Sequence, residues 1–287
     1  MPASLNPDGG GDSSDAAIPA TWQEHWFEHD RLLKLVGTDS NVAVYFDDDV
    51  NRTTSSWLLP LMSHVWDYAK RTYGVPGSDT LFAVFHTGRY AGGHWATVLE
   101  GSHDFRNVID WGGGADAWDD TSAGDMPVTT CGTLMEDASL GVYRLPSRDL
   151  TGGQFGLIFG YDAMKALALN DAADRIYTMA IAQAIDSPRP GTYWFRDWYL
   201  PLWTNYGGAA VFARYFLLVN KNFPTNIGPD GVGTKYARAM TWGEYIHFMS
   251  GAAGQDLSTV ATKAFGWTTD MDTSFQKAKT DFPAIKY

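Results

Sequence analysis

Apolar positions along the chain fall into two regimes. "NVAVYFDDDV" (41–50), "TLFAVFHTG" (80–88) and "FRNVIDWGGG" (105–114) are short runs of β-branched and aromatic residues closed by turn formers, and each reads as a strand. "GGHWATVLEG" (92–101) reads as the hairpin neighbour of the 80–88 strand or as a connecting loop. In "SSWLLPLMSHVWDYAKRTYG" (55–74), Trp57, Leu61, His64 or Val65, and Tyr68 recur every three to four residues before a glycine stop, which predicts an amphipathic helix. From about residue 126 the spacing is helical almost to the end. It predicts helices over roughly 127–140, 160–170, 171–185, 192–205, 207–221, 241–250, 255–265 and 271–280. Strands first and helices second describe an α+β protein: a sheet-rich part over about 21–125 and a helical part over about 126–287 of one domain.

Composition narrows the function classes. The first 20 residues are rich in Gly, Ser and Asp and predict a disordered tail. They lack the charged and apolar segments of a signal peptide, so the expectation is a cytoplasmic protein or a mature secreted form. A net charge of −12 disfavours nucleic acid or an anionic membrane as partner. No run of about 18 apolar residues is present to span a bilayer. The single cysteine, Cys131, excludes an intrachain disulfide. Aromatic residues make up 14% of the chain, enough either to fill a core or to wall a ligand cavity.

The segments "IPATWQEHWFEHDRLL", "FAVFHTGRYAGGH", "SHDFRNVIDWG", "GTYWFRDWYLPLW" and "WGEYIHFMSGAAGQDLSTVATKAFGW" resemble a little-characterised family of zincin-like secreted proteins. The resemblance implies a zincin-like fold: a small mixed sheet, a central active-site helix and a mostly helical C-terminal lobe. In such proteins a two-histidine H-E-x-x-H helix holds Zn²⁺ and its glutamate polarises the bound water. Laid on "TTCGTLMEDAS", the first histidine falls on Cys131, the glutamate on Gly132 and the second histidine on Met135. Where a third ligand belongs stand Asp149 or Gly153. The zinc set is therefore lost, and the sequence reading assigns no metal ligand and no cofactor.

What remains is a former cleft. The rim "RNVIDWG", with Asp110 and Trp111, would face Cys131, Gly132, Met135 and the segment after Tyr143. Phe155, Trp194 and Trp198 would complete an apolar pocket for a small organic ligand, its leading use a metal-independent cyclisation or rearrangement. Glu136 and a His103–Asp104 pair are the acid/base candidates, the alternative for the pair being a capped turn. Cys131 is either a nucleophile near its helix N-terminus or a small buried apolar residue. Two other functions stay open: a pseudopeptidase that binds a peptide by strand addition, and a metallopeptidase with other ligands such as His86, His94 and His103. His25, His29, His64 and His247 read as core-edge residues, and "FDDDV" as a solvated turn or a Ca²⁺ site.

Overall fold

A computed structural model describes residues 18–228 and 231–287, so the tail expected over 1–20 lies almost wholly outside the described residues. The protein is α+β with a mixed sheet. Strands β1 (Thr21–Gln23), β2 (Leu32–Thr38) and β3 (Val42–Phe46) form an antiparallel meander. Helix α1 (Leu58–Tyr73) then crosses over to β4 (Leu81–Thr87), which pairs parallel to β3. Strand β5 (Gly92–Ala96) and a 3₁₀ turn lead to β6 (Asn107–Gly113), giving the order β1-β2-β3-β4-β6-β5.

The segment after β4 is thus no hairpin partner of it. β6 inserts between β4 and β5, parallel to the first and antiparallel to the second. A parallel pair needs a long connection, and residues 88–106, β5 among them, supply it. Strand β2 was not among the expected elements. "LLKLVGT" has one buried position of seven, too weak a pattern to read alone.

Helix α2 (Asp125–Asp137) opens the second half. After it come β7 (Val142–Tyr143), α3 (Arg148–Thr151), α4 (Phe155–Ala166) and α5 (Asn170–Ala182). The aromatic segment starts as a π-helical turn, Trp194–Tyr199, and continues as α6 (Leu200–Asn205). Helix α7 (Ala209–Asn222) is followed by β8 (Thr225–Ile227) and β9 (Thr234–Tyr236), which join β7 in a small three-stranded sheet. Three helices close the chain: α8 (Trp242–Ala253), α9 (Ser258–Phe265) and α10 (Thr269–Asp281). A reciprocal Thr241–Glu244 capping box starts α8 by satisfying two end groups at once.

Strand periodicity sorts the core into two faces. Leu81, Ala83 and Phe85 of β4 and Ile109 of β6 join α1, α2 and the later helices in one large apolar core. Phe82, Val84 and Val108 point the other way, onto Trp22, Trp26 and Tyr45. His86 and Asp110 follow the second set by the same alternation. They project from the face opposite helix α2, and this placement decides which residues can form a site together. Among the described residues no helix is long and apolar enough to cross a membrane.

Candidate functional site

The second face ends in a buried polar group. Asp110 stands next to Val108 on β6, and His86 closes the matching row of β4. From the β1–β2 connection, Glu24 and His29 fold back over them. Glu24 is held by the Arg31 N–H, which donates to its Oε2 at 3.1 Å. The result is four ligand-type side chains, Glu24, His29, His86 and Asp110, whose donor atoms lie within 4.8 Å of one another. His86 Nε2 is 2.9 Å from Glu24 Oε1 and 3.2 Å from Asp110 Oδ1. His29 Nδ1 is 3.4 Å from Glu24 Oε1 and 3.0 Å from Asp110 Oδ2.

Three of these atoms, Glu24 Oε1, His86 Nε2 and Asp110 Oδ1, are buried without a well-directed hydrogen bond. Buried polar atoms are otherwise almost always paired. Close approach without hydrogen-bond alignment is how ligands of one cation stand, since they point at a common centre. Donors bonded to a first-row ion at about 2.0–2.2 Å stand about 3–3.5 Å apart, and the distances here fit.

Supports surround the four. Asp47 Oδ2 is 3.2 Å from His86 Nδ1 and is itself clamped by Arg89 and Arg31 at 2.9 and 3.3 Å. That is the carboxylate–histidine arrangement that orients a ligand ring. The Trp26 indole donates to Asp110 Oδ2 at 2.9 Å, and Tyr90 stacks on His29 at 3.7 Å. Burial works against the His86 imidazolium, but contacts to Asp110 and Glu24 outweigh it and raise its pKa to about 10. Burial likewise opposes the Asp110 carboxylate, yet His29 and His86 hold it well below the usual range.

Most of the remaining sequence-assigned residues do not converge. Asp110 faces away from helix α2, so it cannot line a cleft with Cys131 and Met135. Trp111, its neighbour on the other face, donates to Thr130 Oγ1 at 3.0 Å. His103 and Asp104 do not pair. Asp104 takes a left-handed backbone (φ 54°) and accepts from the Trp22 indole, while His103 turns toward His94. Cys131 lies mid-helix and fully buried, beyond reach of the N-terminal dipole, and burial pushes its thiol far up. It is a packing residue. We expect iodoacetamide to leave Cys131 unmodified in the native protein at pH 8 and to label it on unfolding; rapid native labelling would contradict this placement.

Gly132 and Met135 lie in close-packed core. A Cβ on Gly132 would stand 2.5 Å from Phe159 Cβ, because α2 and α4 touch there backbone to side chain. Met135 is fully buried in the same core, and Trp194 and Trp198 pack on Phe265. The positions that zinc would occupy by resemblance do not fit it: a thioether, a deeply buried thiol and a glycine offer no histidine and no space. Phe155 and Glu136 do meet, at a small cavity of about 10 Å³ with Tyr199, Tyr215 and Tyr245, room for about one water. Tyr143 lines a separate open pocket with Arg144, Lys235 and Arg238.

Sequence reading missed Glu24 and His29. Their one signal is the E-x₄-H spacing in "EHWFEH", which gains meaning only once the loop folds over the sheet. Comparison with protein-family models, curated proteins and solved structures finds no match. The zincin-like resemblance therefore rests on the sequence segments alone.

Proposed function

We propose that the protein works through a divalent first-row metal ion bound by Glu24, His29, His86 and Asp110. The observation that carries this reading is the convergence of three buried donor atoms, none with a well-directed hydrogen bond, on one point. Imidazole with carboxylate suits zinc, manganese, iron, cobalt or nickel better than calcium or magnesium, which take oxygen ligands. His29 is the one ligand with appreciable exposure, 13% of its side chain, so a substrate would approach from its side. The centre fits Lewis-acid chemistry such as metal-assisted hydrolysis. It belongs with the metal-dependent reading of the sequence, using His86 as expected there but Glu24, His29 and Asp110 in addition. A zincin-like ancestry remains compatible with the order of sheet, α2 and helices.

The rival reading, an apolar pocket used for cyclisation, draws support from Glu136, a buried acid that burial raises to about 8. Its cavity of about 10 Å³ admits no organic ligand. The test is metal binding by the purified chain, stripped with chelator and titrated with Zn(II) or Co(II). We expect tight binding, weakened at least 100-fold by Asp110→Asn or His86→Ala. Asp47→Asn should weaken it about 10- to 100-fold through loss of His86 orientation. Failure of the wild-type chain to bind any first-row ion would reduce the group to a buried ion-pair network.

A further inference from the structure

We infer that the centre is dinuclear, with Asp110 bridging the ion described above to a second one held by His94 and His103. The inference rests on the proposed metal reading and extends it. His94 sits directly opposite Asp110 in the β5–β6 register, on the same face, with its Nε2 3.5 Å from Asp110 Oδ2. The short turn Gly101–His103 brings His103 Nε2 to 3.1 Å from His94 Nε2. These two nitrogens share one hydrogen bond, and an ion bound between them would take the place of its proton.

His103 Nδ1 lies 3.0 Å from Ser102 Oγ; with Ser102 accepting from an Nδ1 proton, Nε2 presents a lone pair to an ion. His103 is fixed in place by stacking on Trp26, with ring centroids 4.5 Å apart. Two nitrogens at this separation, each about 2.1 Å from an ion, subtend about 95° at it, the angle of adjacent ligands in ordinary coordination. Asp110 Oδ2 accepts from the Trp26 indole and lies 3.0 Å from His29 Nδ1 and 3.5 Å from His94 Nε2, so this carboxylate stands between the two histidine groups. Oδ1 faces the first ion with Glu24 and His86.

The charge balance names the ligand class. Two divalent ions carry four positive charges, and the ligands Glu24 and Asp110 return two. Asp47 is neutralised by Arg89 and Arg31. A centre with net charge of about +2, with ions about 3.5–4 Å apart, suits an anionic substrate presenting two oxygens, such as a phosphoester or a carboxylate.

The experiment is metal stoichiometry of the full chain after chelation and reconstitution with Mn(II) or Zn(II), with inorganic phosphate as the anion probe. Two ions per chain are expected, with exchange-coupled Mn(II) in electron paramagnetic resonance. The double variant His94→Ala/His103→Ala should keep one ion and lose at least tenfold in phosphate affinity. If that variant does not fold, His94→Gln should show the same drop to one ion. One ion in the wild type would overturn the dinuclear centre and leave the mononuclear reading standing. No ion would overturn both. Two ions retained in the folded histidine variants would overturn the assignment of His94 and His103.

Discussion

The stability of the protein should fall as pH rises from about 4.5 to about 8, and the substitution Glu136→Gln should remove that part of the slope. Glu136 is fully buried, and burial raises its carboxyl from an unfolded value of 4.5 to about 8. Its Oε1 accepts from Thr151 Oγ1 at 3.2 Å, while Arg148 Nε is 3.9 Å from Oε2 and too distant to pair it fully. Asp137 adds repulsion, and Tyr199, Tyr215 and Tyr245, which face the same cavity, are neutral at these pH values. The folded chain therefore keeps a proton that the unfolded chain has released, so this contribution is complete below about 4.5 and is lost as pH rises through about 8. At about 1.4 kcal/mol per unit, the difference approaches 4–5 kcal/mol as an upper bound. Urea unfolding of wild type and Glu136→Gln at pH 5, 7 and 9 measures it. Equal slopes in the two proteins would refute the assignment.

Substituting Gly132 by Val should destabilise the fold by about 3 kcal/mol or more, the upper range for overpacking a tight core. Its added Cβ would overlap Phe159 at Cβ and Cγ, 2.5 and 2.7 Å away, at the base of the side chain where rotation cannot relieve it. Gly156 of α4 shows the same closeness from the other helix: a Cβ added there would stand 2.6 Å from the Thr129 carbonyl oxygen. The double change Gly132→Val/Phe159→Ala should be less destabilised than the sum of its parts, by at least 1 kcal/mol. Denaturant midpoints test this. Additive effects, or a neutral single variant, would mean that a void lies beside α2 after all and would revive the pocket reading.

The elements were legible where apolar runs are long. Helix α1 and the wholly buried β4 read clearly as elements, but α1 buries Leu58, Met62, Val65, Trp66 and Ala69, and not the Trp57, Leu61 and Tyr68 of the expected stripe, which are half-buried. β7, β8 and β9 are two or three residues long and partly exposed, below the length at which periodicity carries information.

The site divides along the same line. His86, His94 and His103 stood out in the sequence as possible ligands of a metal-dependent enzyme. What the linear order could not supply was a face. The sequence placed Asp110 and Trp111 on one rim, but adjacent strand residues point to opposite sides. Asp110 therefore joins the histidines while Trp111 joins α2. The same blindness paired His103 with its neighbour Asp104, although the left-handed turn at Asp104 separates them.

By itself, then, the chain determined its α+β class, the strand-forming runs, most of the helices, and an α2 without the residues of a hydrolytic zinc site, because these follow from local composition and periodicity. Only the tertiary structure decided where a site could form. It folded the Glu24–Arg31 loop over the sheet and set Glu24, His29, His86 and Asp110 around one point. Donors more than 80 residues apart in the chain come within hydrogen-bonding distance only when register and strand face are fixed.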